Sequence, residues 1–312
     1  MTTAAPAATR PSPLDAAQQA LDHMRRQLFP FRFERWLILG CVAFLDQCGR
    51  QSGMRGAFNV PGPGGWGHAG PGEGDVSKAV EWLATHALVV AAVAAAVLTA
   101  VIAFSALVLW LNSRGVFMYL DNVASGRADF ERPWREHAAR AGSYFAWSFG
   151  LALATLVGLL VLGVAAAIAV VVLVSGPPGS GLTAGLGLGA VFVSFLVLIV
   201  AASLASLALR DFVAPLQVRA GLGCRDAMRL LLDLLRAHPG VFVVYVLLKL
   251  AFSMVAGIVI AVAACLTCCC ALLPVVMQTV LQPLFYFERA WSLFLLRQLG
   301  YDLLSAAPGR DR

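Results

Sequence analysis

Long apolar runs that are almost free of charge dominate this chain. They cover residues 82–111, 144–174, 182–209, 241–264 and 271–287. Most of them exceed the ~20 residues that a helix needs to cross ~30 Å of hydrocarbon. With 60% hydrophobic and only 13% charged residues, the 312-residue chain has few charges with which to cover a water-soluble fold. The sequence therefore argues against a soluble globular enzyme.

A sixth segment, Trp36–Cys48, is apolar only up to Asp46 and needs the flanking Phe29–Phe33 region, or local thinning of the bilayer, to span. The last apolar run continues past Pro283, so we expect its helix to break or kink near this proline. We therefore predict an all-α, polytopic transmembrane helical bundle of six spans, with amphipathic interfacial helices on the cytoplasmic side. The predicted spans are about 33–48, 82–111, 144–174, 182–209, 241–264 and 271–296.

Positive charge is divided unevenly between the segments that connect these spans, as expected when short cytoplasmic loops are enriched in Lys and Arg. With both termini inside, only Arg50, Arg55 and Lys78 of the 23 basic residues fall in outer loops, and Lys249 falls within a span. A five-span arrangement places many more of them outside. We therefore predict a multi-pass protein of the bacterial cytoplasmic (inner) membrane with cytoplasmic termini. The net charge of +6 then implies anionic headgroups, not nucleic acid, as its neighbours.

The remaining segments differ in composition. Residues 1–11 are expected to be a disordered arm, and residues 12–304 to form a single membrane domain. Within it, residues 49–79 are rich in Gly and Pro and are predicted to be a flexible outer loop. Residues 305–312 form a short tail. The start of the chain lacks the apolar stretch of a signal peptide, so we expect the N terminus to be retained.

A helix is predicted to begin after Ser12, because Ser12 and Asp15 fit a capping box. We expect it to lie on the membrane surface, either as a docking element for a partner or as an anchor on anionic headgroups. Its apolar positions recur every three to four residues: Leu14, Ala17, Leu21, Met24 and Leu28. The anchoring arginines are Arg25, Arg26, Arg32 and Arg35.

A second amphipathic helix is predicted in the connector between the fourth and fifth spans. Four charges of alternating sign share one helical face at spacings of three and four residues: Asp226, Arg229, Asp233 and Arg236. Two interpretations remain open. The helix either couples the protein to a cytoplasmic partner or is a surface connector whose charges face water.

Five cysteines are predicted near the outer ends of spans: Cys48, Cys265, Cys268, Cys269 and Cys270. They are free thiols packed in an apolar setting, or they form a disulfide through Cys48 in an oxidising periplasm. A metal site at Cys265 and Cys268 is a third interpretation, but the second cysteine pair or nearby histidine that it needs is missing. No metal or cofactor is therefore predicted.

Three charged residues fall within predicted spans, where burial costs a few kcal/mol each: Asp46, Lys249 and Glu288. Lys249 and Glu288 are at similar depths from the inner side, so they are placed to pair. Such residues serve a proton or ion relay, or they form a structural ion pair, or the lysine reaches back to the inner face. The sequence leaves these interpretations open.

Three segments resemble an uncharacterised family of bacterial six-span membrane proteins: RGVFMYLDNVASGRADFERPW, DFVAPLQVR and LTCCCALLPVVMQTVLQPLFYFERAWSLFLLRQLGYD. That family is more distantly similar to the membrane domains attached to some glycerophosphodiester phosphodiesterases. The resemblance covers roughly residues 25–304 and implies a membrane location without an established activity. The catalytic carboxylates and histidines of those phosphodiesterases belong to a soluble domain, so their chemistry is not implied.

Three functional hypotheses follow from these patterns. The first is a non-catalytic membrane component, a scaffold or accessory subunit of a complex, since no catalytic constellation is evident. The second is a transporter or permease-like protein for a small or lipidic solute, with the three buried charges lining a cavity. The third, an enzyme acting on lipid, has its nearest candidates in one inner segment: Arg114, Asp121, Asn122 and Arg127. We predict the first, with the transporter as the alternative.

Overall fold

The fold is that of a computed structural model of the chain, which describes residues 11–48, 82, 85–175, 177, 180–266, 273 and 275–304. The predicted arm up to residue 10, loop 49–79 and tail 305–312 lie outside these residues. All regular secondary structure in the described part is helical, which confirms the all-α class.

The helices follow one another with short connections. In chain order they are α1 (Pro13–Leu28), α2 (Phe33–Gln47), α3 (Ala87–Ser125), α4 (Glu131–Glu136), α5 (Ala138–Ser175), α6 (Ser180–Ala208), α7 (Ala214–Ala220), α8 (Cys224–Ala237), α9 (Pro239–Leu266), α10 (Val276–Val280) and α11 (Gln282–Gln298). A π-helical segment, Leu209–Val213, joins α6 to α7 and is called the π-turn below.

Four helical stretches are long and apolar enough to cross a membrane: Ala87–Ser125, Ala138–Val174, Gly181–Ala220 and Pro239–Leu266. Their most apolar windows have a mean hydropathy of 2.4 to 3.1. Protein covers none of the residues in three of these windows and 11% in the fourth. Apolar surface on this scale requires a non-aqueous neighbour, so the structure indicates a membrane protein.

The other two predicted spans form shorter helices. Helix α2 has 15 residues, a length of about 22 Å, and α11 has 17 residues. The helix break that we predicted near Pro283 is present, because α10 ends before Leu281 and Pro283 lies in the first turn of α11. Length and composition therefore qualify four helices as spans among the described residues, and the six-span arrangement stays a prediction.

The chain divides into two compact units, Met1–Asp46 with Ser113–Arg312, and Gln47–Asn112. In the first unit, α1 packs against α11. The predicted cap of α1 is confirmed, since the Ser12 side chain accepts a hydrogen bond from the Asp15 backbone N–H at 3.3 Å. Trp291 of α11 donates its indole N–H to the Pro13 carbonyl at 2.8 Å. The described residues of the second unit belong mainly to the first part of α3, whose apolar side chains are largely exposed.

The buried face of α1 differs from the predicted apolar face. Leu14 is 58% exposed, whereas the face against α11 holds small residues and a histidine. The buried residues of the helix are Pro13, Ala16, Ala20, His23, Met24 and Leu28. The small side chains of Ala16 and Ala20 let α1 and α11 approach closely. Protein, rather than lipid alone, therefore covers this face of α1.

Two glycines fix the position of α2 in the interior. A Cβ atom on Gly40 would overlap the Thr279 side chain of α10, and one on Gly115 of α3 would overlap the backbone of Leu45 and Asp46. Glycine is therefore required at both contacts for steric reasons. The close approach at Gly115 places the end of α2, and with it Asp46, inside the first unit.

We predict that Gly115→Ala destabilises the full-length protein by about 1–3 kcal/mol, because the added methyl group meets backbone that cannot rotate away. Thermal unfolding in mild detergent measures the change. Gly142→Ala is the matched control, since among the described residues no atom beyond its own helix backbone and chain neighbours lies within 4 Å of the added Cβ. Equal unfolding temperatures for the two variants would contradict the close packing of α2 on α3.

Candidate functional site

The π-turn brings two adjacent charged residues into the interior. All five of its residues, Leu209–Val213, are buried, and the Ala214 N–H bonds the Leu209 carbonyl in the i to i+5 pattern. Such π-turns occur often at functional sites, because the inserted residue reorients neighbouring side chains and carbonyls. In this protein the π-turn orients Arg210 and Asp211, whose exposed fractions are 2% and 1%.

Arg210 joins α2 to α11. Its Nε donates to Asp46 Oδ1 at 3.3 Å and its Nη2 donates to Asp46 Oδ2, which makes a two-point contact with the carboxylate. Its Nη1 donates to Glu288 Oε1 at 3.1 Å. Charge-assisted contacts of this kind are among the strongest hydrogen bonds in proteins and they fix orientation. The guanidinium therefore holds two carboxylates from helices far apart in the sequence.

Lys249 of α9 makes the second set of contacts. Its Nζ donates to Asp211 Oδ2 at 2.7 Å and lies 3.2 Å from Glu288 Oε1. The Tyr245 hydroxyl, one turn earlier, also donates to Asp211 Oδ2, at 2.9 Å. Glu288 thus lies between Lys249 and Arg210. The lysine side chain is 7% exposed, so these partners replace water around its charge.

Arg289 closes the network from α11 and is completely buried. Its Nη1 donates to the carbonyl of Arg210 at 2.7 Å, and its Nη2 donates to the carbonyl of Val116 at 3.1 Å. The same Nη1 lies 3.9 Å from Asp211 Oδ1. Arg289 therefore ties α3 and α11 to the π-turn through backbone carbonyls as well as charge.

Among the described residues, the charges of the buried charge network balance. It contains three cations, Arg210, Lys249 and Arg289, and three carboxylates, Asp46, Asp211 and Glu288. Within a low-dielectric interior each of these charges is costly alone and tolerable only with a partner. The network therefore favours one arrangement of α2, the π-turn, α9 and α11.

All three buried charges predicted from the sequence lie in this network. Lys249 and Glu288 meet directly, and Asp46 instead meets Arg210. The count of positive charges places Arg210 and Arg289 among the inner basic residues. The structure buries both guanidiniums in protein, and their side of the membrane stays a prediction. One sequence signal is shared by both arginines: each stands beside an acidic residue at the end of an apolar run.

Further polar side chains extend the interior along α11. Gln282 donates to the Tyr119 hydroxyl at 3.0 Å, and the Tyr286 hydroxyl donates to the Val123 carbonyl at 3.2 Å. His23 of α1 lies 3.3 Å from that hydroxyl. In contrast, both amide atoms of the fully buried Gln217 in α7 have no hydrogen-bond partner among the described residues, and the amide oxygens of Gln278 and Gln282 have none either. The interior thus combines a bonded polar column with several unsatisfied amide atoms.

Helix α8 carries the predicted row of charges on its exposed side. The Asp226 and Arg229 side chains approach to 3.4 Å, and those of Asp233 and Arg236 to 3.7 Å, with exposures of 57% to 80%. The opposite face is buried through Cys224, Ala227 and Leu231. One side of α8 is therefore fixed to the protein and the other presents charge outward.

Four cysteines lie within the described residues, and all are free thiols: Cys41, Cys48, Cys224 and Cys265. Cys265 is exposed and Cys224 is buried. Burial raises the pKa of the Cys224 thiol to about 11, so its reactive thiolate is scarce at neutral pH. In the part of the chain that the structure describes, no group of three or more His, Cys, Asp or Glu residues could hold a metal ion. The rest of the predicted thiol cluster lies outside it: Cys268, Cys269 and Cys270.

Comparison with known proteins gives one family. The model of a family of unknown function, DUF7544, matches residues 12–304. No curated protein and no solved structure matches the chain significantly. None of these comparisons supports the distant likeness to the phosphodiesterase membrane domains.

We predict that Lys249→Met destabilises the full chain by about 3–5 kcal/mol, since Asp211 and Glu288 lose a shared cation inside the bundle. Resistance to unfolding by an ionic detergent, followed by circular dichroism, measures the loss. Arg236→Met removes a positive charge from the exposed face of α8 and is expected to have no measurable effect. Similar behaviour of the two variants would show that Lys249 is not a buried partner of the carboxylates.

Proposed function

This chain belongs to the family of unknown function DUF7544, and we propose that it is a non-catalytic scaffold or accessory subunit of a membrane complex. It crosses the bacterial cytoplasmic membrane six times with both termini in the cytoplasm. It meets its partner at the cytoplasmic face through α8. The four apolar spanning helices support the membrane part of this proposal.

The exposed charged face of α8 is the observation that carries the docking role. Helix α8 is held to the protein through its buried face, so its charges occupy fixed positions. Exposed ion pairs of this kind contribute little to folding stability, typically ~0–1 kcal/mol. Two such pairs in register on a rigid helix instead provide a pattern that an oppositely arranged partner surface recognises.

The interior supports a structural role more than transport. A solute site in a membrane protein needs polar groups that the solute can satisfy. Here the charged ends of Arg210 and Lys249 are engaged by carboxylates of the same chain. Binding of a solute would have to break these contacts.

The alternative, a transporter or permease-like protein, is favoured by Gln217. Its amide is fully buried, and neither of its polar atoms has a partner among the residues that the structure describes. An unsatisfied buried amide costs about 1–3 kcal/mol, a cost that a bound polar solute would remove. This observation concerns one side chain, whereas the charged face of α8 comprises four.

The orientation predicts how thiols react with a membrane-impermeant maleimide. Buried Cys224 is unsuited as a reporter of the inner side, so Asp233→Cys on the exposed face of α8 replaces it. In spheroplasts, Cys265 is expected to be labelled, whereas the D233C position reacts only after lysis. Mass spectrometry of the labelled peptides identifies each site. Labelling of D233C in intact spheroplasts would contradict the cytoplasmic placement of α8.

The docking role predicts the loss of a stoichiometric partner when the charges of α8 are neutralised. The variant D226N/R229Q/D233N/R236Q is expected to fold. In mild detergent, the amount of partner that copurifies with the tagged variant should be at least tenfold lower than the amount that copurifies with tagged wild type. The control E131Q/R135Q removes another exposed ion pair, on α4, where the side chains are 75% and 77% exposed. Loss with both variants, or with neither, would contradict docking through α8.

Replacement of Gln217 separates the scaffold from the transporter. If the amide has no ligand, Gln217→Met removes an unsatisfied buried group and raises the free energy of unfolding by about 1 kcal/mol. If a bound solute satisfies the amide, the same substitution lowers stability and makes the protein insensitive to that solute. Unfolding of the purified chain, compared with wild type, decides between the two.

A further inference from the structure

The turn between α1 and α2 exposes three phenylalanine side chains. Phe29, Phe31 and Phe33 are 53%, 57% and 65% exposed, and they alternate with Pro30 and Arg32. We call residues 29–33 the aromatic turn. Large aromatic side chains are rarely exposed together on a surface that faces only water. A non-aqueous neighbour is therefore expected at this turn.

A buried tryptophan fixes the orientation of the turn. Trp36 is 8% exposed and donates its indole N–H to the Leu28 carbonyl at 3.2 Å. The rings of Phe29 and Phe31 meet the Trp36 ring edge to face, with centroids 6.1 and 4.9 Å away. The free faces of the phenylalanines consequently point outward from a supported base.

Arginines surround the aromatic turn. Arg25, Arg26 and Arg32 are exposed, and the acidic residues along the same stretch are Asp22 and Glu34. Arg35 has a different role, because it donates to the Gly126 carbonyl at 2.6 Å and to the Gln27 side chain at 3.0 Å. It attaches the turn to the end of α3. The three exposed arginines give the surface around the aromatic rings a net positive charge.

We propose that the aromatic turn is a lipid-binding element that inserts its phenylalanines into the cytoplasmic leaflet beside anionic phospholipid. Aromatic rings occupy the boundary between headgroups and acyl chains, and arginines pair with the phosphates above them. Positive charge attracts the protein to an anionic leaflet, and each arginine near the surface contributes a few-fold in affinity. The phenylalanines alternate with Pro30 and Arg32, so apolar rings and a positive charge lie side by side, as the boundary between acyl chains and anionic headgroups favours. This inference rests on the membrane location in the proposed function and is independent of the partner at α8.

Photocrosslinking of the full chain in nanodiscs tests the insertion. p-Benzoylphenylalanine replaces Phe31 in one sample and Leu160, an exposed residue of α5, in another. Lipid adducts at both positions are expected. Lipid adducts at Leu160 with none at Phe31 overturn the inference, and so does a Phe31 adduct to protein alone. If lipid adducts are absent at both positions, the membrane location itself fails.

The lipid charge provides the second readout. With the photoreactive group at Phe31, nanodiscs containing phosphatidylglycerol are expected to give more lipid adduct than nanodiscs of phosphatidylcholine alone. The variant R25Q/R26Q/R32Q should reduce this preference by about fivefold or more. R135Q/R219Q/R225Q removes the same charge from other exposed positions and should leave the preference unchanged. Equal adduct yields from the two lipid mixtures in wild type would overturn the anionic specificity.

Discussion

A neutral cluster of six charges, five buried and Glu288 partly buried, is the constraint on which the rest of the structure depends. In a medium of low dielectric constant, a lone carboxylate or guanidinium costs several kcal/mol, and only a well-oriented partner repays that cost. Arg210 meets Asp46 and Glu288, and Lys249 meets Asp211 and Glu288. The alternatives in which one of these helices shifts leave a charge unpaired, so they are disfavoured. The network therefore specifies how α2, the π-turn, α9 and α11 meet.

The outer surfaces follow from this arrangement. The polar groups lie in the interior, and the long helices present mainly apolar side chains outward. Lipid is the solvent that suits such a surface. Two exposed ion pairs lie on the short helix α8, and three exposed phenylalanines lie in the turn between α1 and α2. A rigid interior with specialised short elements suits a protein that holds position in a membrane and offers surfaces to neighbours.

Much of this could be predicted from the sequence. Apolar length alone indicates the spanning helices, local chemistry predicts the cap at Ser12 and the break near Pro283, and the cost of burial singles out Asp46, Lys249 and Glu288. The partners could not be predicted in the same way. Arg210 and Asp46 are 164 residues apart, and no periodic pattern records a contact across that distance. The π-turn is also invisible to patterns of period 3.6, so the burial of Arg210 could not be predicted from them.

The Asp46–Arg210 contact carries the central claim, and a double-mutant cycle measures it most directly. The free energy of unfolding is determined for the full chain in detergent with Asp46→Asn, Arg210→Gln and both substitutions. The account predicts a coupling free energy of at least about 2 kcal/mol, with the double variant less destabilised than the sum of the single variants. Additive effects, within about 0.5 kcal/mol, would contradict the pairing of these two residues in the interior.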